Sequence, residues 1–190
     1  MEQEALVRAA RDGDGEALGE LVRCFHGPLT AYLIRLGGDR ELALDLAQET
    51  FCRVCLHLAS LEEPEAFRVW LYRTARNLFL DHRRSWYWRR VSIRPESDGR
   101  EQPGPGPEEA AIRRDEGEWV RRALETLSPA HREVIILRYY EDMTLGAIAK
   151  VTGLPLGTVK SRLHHAQRAL AGRLRRETPA VVLKGRWQGL

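Results

Sequence analysis

Apolar residues recur along most of this chain at gaps of three and four, the spacing that collects them on one side of a 3.6-residue helix. The pattern predicts helices over Glu4–Arg11, Gly15–Leu36, Arg40–Leu58 and Pro64–Arg84, with breaks at Gly37-Gly38 and at Glu62-Glu63-Pro64. The periodicity stops at about Val91, and Arg94 to Glu109 reads RPESDGREQPGPGPEE, a Pro-, Gly- and charge-rich run that predicts a linker. It resumes from Ala110 to Arg176, broken at Ser128-Pro129, Glu141-Asp142 and Thr152–Pro155. The expected fold is all-α, with two small helical domains joined by a flexible linker. The expected division is 1–90, a linker at 91–116, a second domain at 117–178 and a loose tail at 179–190.

Within the second domain, Thr144–Arg176 reads TLGAIAKVTGLPLGTVKSRLHHAQRALAGRLRR, a short helix, a turn containing glycine and a longer helix. That is the order of a helix-turn-helix. Thr144 is placed to cap the first helix, Leu145, Ile148 and Ala149 to turn inward, and Gly153 to supply the positive φ that closes it. On the second helix Val159, Leu163, Ala166 and Leu170 form one stripe, which should be buried. The opposite face carries Gly157, Ser161, His164, His165 and Arg168, with Thr158 and Lys160 on its shoulders and Arg162 nearer the buried edge. Short polar and basic side chains at the front of a helix suit base edges and phosphates in a major groove, so this face is expected to read DNA.

Charge supports that reading once it is counted by segment. Residues 1–50 carry 5 basic and 10 acidic side chains, 51–90 carry 8 and 4, 91–128 carry 6 and 9, and 129–190 carry 11 and 4. Two basic blocks separated by an acidic stretch suggest two polyanion-binding surfaces, where Lys and Arg release counterions from phosphates. In the first block, Phe67, Trp70, Tyr72, Trp86, Tyr87 and Trp88 interleave with Arg68, Arg73, Arg76, Arg83, Arg84, Arg89 and Arg90. Aromatic rings stack on unpaired bases while arginines follow the backbone, a combination suited to single-stranded DNA.

Four segments together resemble a known family. Ala123–Tyr140, ALETLSPAHREVIILRYY, followed by the helix-turn-helix with GTVKSRL at Gly157–Leu163, closely resembles region 4 of extracytoplasmic-function (ECF) sigma factors. Gln48–Leu58, QETFCRVCLHL, and Phe67–Arg84, FRVWLYRTARNLFLDHRR, look like region 2 of the same family. The resemblance implies a promoter-recognition subunit that binds bacterial core RNA polymerase and promoter DNA, is held by an anti-sigma factor, and uses no cofactor or metal. It implies that Asp45, Gln48, Glu49, Phe51 and Arg53 dock on the clamp coiled coil of the largest polymerase subunit, while the second domain sits on the flap of the other large subunit. It also implies capture of the −10 element at Phe67, Arg68, Arg73, Arg76, Asn77 and Asp81, with a loop around Ala59–Ala66 forming a pocket for a flipped base. The −35 element falls to Thr158, Lys160, Ser161, Arg162, His164, His165 and Arg168. This chain departs from the family pattern at Leu44, where an acidic residue is usual, at His165, where many relatives have arginine, and at Cys52 and Cys55, where apolar residues are common.

From the residues alone, Phe67, Trp70 and Tyr72 read equally well as core and as DNA contacts, since Phe67, Leu71, Ala75 and Leu78 share a helical stripe. Cys52 and Cys55, formally a C-x-x-C, read as small buried hydrophobes on a helix in preference to a redox or metal pair. His164 and His165 point in different directions and have no third ligand nearby in sequence, which favours hydrogen bonding to DNA over metal binding. The runner-up function is a stand-alone helix-turn-helix regulator, which would leave segment 67–90 without a task. An enzyme built on Asp81-His82 with the cysteines lacks a phosphate loop, a metal-spaced set and a nucleophile motif. No apolar run approaches the roughly 20 residues of a membrane span, and Met1–Arg11 lacks the apolar core of a signal peptide, so the expected location is the cytoplasm, without membrane insertion.

Overall fold

The structure, a computed structural model, describes residues 3–92 and 122–177, and these belong to two compact units. The N-terminal unit contains α1 (Gln3–Arg11), α2 (Gly15–Arg35), α3 (Arg40–His57), 3₁₀ turns at Leu58–Ser60 and Pro64–Ala66, and α4 (Phe67–Ser92). The C-terminal unit contains a helical turn at 122–125, then α5 (Pro129–Tyr139), α6 (Leu145–Thr152) and α7 (Leu156–Glu177). All regular structure among the described residues is helical.

Each helix boundary has a local cause. Asp14 caps α2 by accepting from the backbone N–H groups of Glu16 and Ala17, and Asp39 caps α3 by accepting from Leu42 at 2.8 Å. Gly37, at φ 107°, ends the chain's exit from α2 in a conformation that disfavours any side chain. Ser128 caps α5 with Pro129 in the first turn, where a missing N–H costs nothing.

In the N-terminal unit the core is the meeting of three stripes: Leu21, Phe25, Leu29, Tyr32 and Leu33 of α2, Ala43, Ala47, Phe51 and Val54 of α3, and Phe67, Leu71, Tyr72, Ala75 and Phe79 of α4. Phe25 meets Phe67 edge-on at 5.5 Å, and Tyr32 meets Tyr72 edge-on at 5.2 Å. Leu6, Val7 and Ala10 of α1 are also buried, and Arg8 pairs with Glu65 of the second 3₁₀ turn at 3.1 Å.

Two expectations are corrected here. Cys52 and Cys55 are exposed, because the buried stripe of α3 runs through Ala47, Phe51, Val54 and Leu58, and each cysteine lies one residue, or 100°, off that line. Helix α4 continues past Arg84 to Ser92, so the helix includes the first two residues assigned to the linker; the first proline comes only at Pro95. The remainder of 91–116 and the tail at 179–190 lie outside the described residues.

In the C-terminal unit, Val134, Ile135, Ile136 and Leu137 are all fully buried, so α5 is covered on every side over that turn. The expected stripe of Val159, Leu163, Ala166 and Leu170 on α7 is buried, as is Ile148 of α6, whereas Leu145 and Ala149 are half-buried. Gln167 of α7 donates to the Tyr139 hydroxyl of α5 at 2.6 Å. Arg132 ties α5 to the preceding segment: its Nε donates to the Leu124 carbonyl at 3.0 Å, and one terminal nitrogen to those of Glu125 at 2.8 Å and Leu127 at 3.4 Å. A planar guanidinium suits this cluster of carbonyls at the end of a helical turn. Arg132→Ala should therefore cost about 2 kcal/mol in urea unfolding of the protein, with Arg132→Lys recovering only part of it, because charge-assisted bonds are lost and carbonyls are left unpaired.

Candidate nucleic-acid interface

The helix-turn-helix is assembled as the residues require. The Thr144 hydroxyl accepts from the Ala147 N–H at 3.1 Å, capping α6, and Gly153 closes that helix at φ 71° with its N–H on the Ala149 carbonyl. With the apolar stripe of α7 buried, Gly157, Ser161, His164 and Arg168 line up outward at steps of four, three and four. Lys160 and His165 are exposed on the two flanks, while Thr158 and Arg162 are half-buried on one shoulder.

Leu156, the first residue of α7, is 45% exposed beside Gly157 and Thr158. An apolar side chain at the tip of such a helix can meet a thymine methyl. Sequence periodicity gave no signal for it, because a leucine at a helix start reads as core. The structure also supplies a neighbour that linear spacing hid: His131 of α5 lies with its ring 6.4 Å from that of His165, which is itself 5.8 Å from that of His164. Among the described residues, no group of three side chains is arranged to hold a metal ion.

On α4 the outward face collects Arg73, Asn77, Leu80, Asp81 and Arg84, with Arg76 half-buried at its edge. Arg68, in the first turn, is half-buried and lies on the inward line of Tyr72 and Ala75, with its guanidinium 5.9 Å from the Tyr72 ring centre. Trp86, further along, is 51% exposed and extends the helix's aromatic content beyond the core. Phe67 belongs elsewhere: it is fully buried and held by Phe25, so its assignment as a DNA contact is corrected to core. Tyr72 is likewise core, whereas Trp70 is half-buried and reaches a surface cleft.

That cleft, of about 460 Å³, is lined by His57, Ser60, Leu61, Glu62, Glu63, Ala66 and Trp70, and so falls at the loop where a base pocket was expected. Its walls come from the end of α3, the two 3₁₀ turns with the connecting residues 61–63, and the first turn of α4. His57 and Trp70 flank the expected loop and were legible only once α3 and α4 were brought together.

The outward face of α3 presents Asp45, Gln48, Glu49 and Arg53, with Glu49 and Arg53 paired at 3.0 Å one turn apart. Phe51, expected on this surface, is buried and stacks 6.3 Å from His26, so it positions the helix from beneath. Cys24 on α2 donates to Glu20 at 3.6 Å; desolvation, and then the adjoining carboxylate, push its thiol pKa up.

Two helical units that each present a basic helix face define a DNA-binding protein, and no helix among the described residues is long and apolar enough to cross a membrane. Residues 21–90 match the family model of Sigma-70 region 2, and residues 117–170 match that of Sigma-70 region 4. The chain is 40% identical over 144 residues to the ECF RNA polymerase sigma factor SigL of Mycobacterium tuberculosis, a match covering 75% of this chain and 80% of SigL. It is 31% identical over 157 residues to the RNA polymerase sigma factor YlaC of Bacillus subtilis, covering 80% and 88% of the two chains. Among solved structures it resembles CnrH in complex with the cytosolic domain of CnrY, at 24% identity and a TM-score of 0.66 over 93% of this chain and 99% of CnrH. It also resembles the sigma factor RpoE in complex with the anti-sigma factor NepR from Bartonella quintana, at 24% identity and a TM-score of 0.64, covering 84% and 98%. Those two likenesses are of fold. The chain belongs to the ECF family of RNA polymerase sigma factors. Its activity is that of a transcription initiation factor, not of an enzyme or a stand-alone regulator.

Burial separates core from surface on α4 in a way that stability measurements can read. Phe67→Ala should lose about 3–5 kcal/mol in chemical denaturation. Arg73→Ala, at an exposed position, should change stability by no more than about 0.5 kcal/mol.

Proposed function

We propose that this sigma factor docks on bacterial core RNA polymerase through Asp45, Gln48, Glu49 and Arg53 of α3, captures and melts the −10 element along α4, and reads the −35 element with α7. The observation that carries the reading is the partition of each helix into a buried apolar stripe and an outward stripe of the appropriate chemistry. At the −10 element Arg68, Arg73, Arg76 and Asn77 would track the phosphate backbone, and an unpaired base would enter the cleft beside Trp70. Asp81, 3.7 Å from Arg84, would orient that arginine. Stacking contributes about 1–3 kcal/mol per base, comparable with the cost of unstacking it, so binding alone can drive local opening without nucleotide hydrolysis.

At the −35 element Lys160, Arg162 and Arg168 would neutralise phosphates, while Thr158, Ser161, His164 and His165 meet base edges, with Leu156 as an apolar contact. Segment 91–116 would link the two DNA-binding units, 1–90 and 117–178. The protein would work in the cytoplasm and be held inactive by an anti-sigma factor covering its polymerase-facing surface; a complex with an anti-sigma factor, NepR, is known for the similar sigma factor RpoE.

Transcription from a candidate promoter with core polymerase, with and without this protein, tests the reading. Initiation is expected only with both present; a promoter footprint without polymerase and no initiation would overturn it. Lys160→Ala and Arg168→Ala should each reduce the slope of log affinity against log salt for −35 DNA by about 1. Asp45→Ala and Gln48→Ala should weaken core binding with unchanged thermal stability, since both side chains are exposed.

A further inference from the structure

The last turns of α3 carry two cysteines that promoter recognition does not use. Both are free and exposed, and Leu56 beside them exposes 76% of its surface. At 100° per residue, Cys52 and Leu56 continue the outward stripe of Asp45, Gln48 and Glu49, and Cys55 lies on its Gln48 edge. We propose that Cys52 and Cys55 are a dithiol oxidation site on the polymerase-facing stripe of α3, closed to a disulfide by hydroperoxides and thereby lowering affinity for core polymerase. The consequence for polymerase rests on the docking role proposed for α3; the oxidation itself does not.

Helix geometry sets both the feasibility and the effect. Residues i and i+3 have Cα atoms about 5 Å apart, inside the range of roughly 4.4–6.8 Å that a disulfide spans. Their Cβ atoms, however, stand about 5–6 Å apart, against roughly 3.5–4.5 Å in a disulfide. Closure therefore draws the two Cβ atoms together by roughly 1–2 Å, which a regular helix does not permit. The pair sits in the last two turns of α3, where the regular α-helical bonding ends with the Leu58 N–H on the Val54 carbonyl and the backbone passes into the 3₁₀ turn Leu58–Ser60, so it yields more readily than in mid-helix. Distortion there moves Leu56 and the adjoining outward stripe, while Val54 and Leu58 stay anchored in the core.

The chemistry needs only a hydroperoxide as oxidant. One sulfur, having released its proton to become a thiolate, attacks the terminal peroxide oxygen and breaks the O–O bond; it becomes a sulfenic acid, and the departing oxygen takes up the released proton to leave as an alcohol, or as water from hydrogen peroxide. The second thiol attacks that sulfur, the S–S bond forms, and the hydroxyl leaves as water with the thiol proton. Two electrons pass from the sulfur pair to the peroxide. Cys24 serves as an internal comparison: it lies on α2, its thiol donates to Glu20, and its raised pKa leaves less thiolate to react.

The test treats the reduced full chain with limiting hydrogen peroxide and follows peptide masses and affinity for core polymerase. The expected product has lost two hydrogens, with Cys52 and Cys55 linked in one peptide, and binds core about tenfold more weakly, the loss of roughly one good contact, until dithiothreitol restores it. Cys52→Ser and Cys55→Ser should each keep their affinity after the same treatment, and Cys24→Ser should respond as the parent does. Sulfinic acids in place of the disulfide, or an equal loss of binding in Cys52→Ser, would overturn the proposal. So would a disulfide that leaves core binding unchanged. In that last case Gln48→Ala separates the causes: weakened core binding in that variant keeps the docking role of α3 and rejects only the switch, whereas unchanged binding rejects the docking role as well.

Discussion

Two edge-on ring pairs, Phe25 with Phe67 and Tyr32 with Tyr72, fix the rotation of α4 about its own axis. Each buried aromatic contributes about 2–3 kcal/mol, and each pair about 0.5–1.5 kcal/mol more, against a total stability of roughly 5–15 kcal/mol for a small domain. Rotating α4 by one residue would exchange buried rings for arginines and forfeit much of that stability. The orientation that buries the rings is also the one that turns Arg73, Asn77 and Arg84 to water. The surface proposed to meet DNA is thus set by what lies beneath it.

The same constraint acts on α7 through different means. The fully buried segment Val134–Leu137 of α5 accepts the stripe of Val159, Leu163, Ala166 and Leu170, and the Gln167–Tyr139 hydrogen bond limits sliding along that seam. Thr144 and Gly153 define the length of α6, so the turn delivers Leu156 and Gly157 at a fixed point. A reading helix needs this precision, since bidentate contacts to base edges depend on hydrogen-bond geometry.

The surface charges are held only loosely by comparison. Glu49–Arg53 and Asp81–Arg84 are exposed pairs on single helices, worth a few tenths of a kcal/mol each. Such pairs can be exchanged for a protein partner or a phosphate at little cost, which suits the faces proposed to meet polymerase and promoter DNA.

Much of this was legible in the sequence because it depends on local chemistry or on angular spacing. The helix starts at Asp39, Ser128 and Thr144, the closing glycine at 153 and the inward stripe of α7 are each specified within a few residues. The family, too, was written in the motifs around Gln48–Leu58, Phe67–Arg84, Ala123–Tyr140 and Gly157–Leu163. Tertiary structure decided what depends on covering a helix from a particular side. Periodicity gives the angle between Phe51 and Cys52 but not which of them another helix covers, so Phe51 proved core and the cysteines surface. It equally left Phe67, Tyr72 and Trp70 undivided until α2 claimed the first two. The cleft beside Trp70 and the approach of His131 to His165 join residues distant in sequence, and no local rule contains the distance between them.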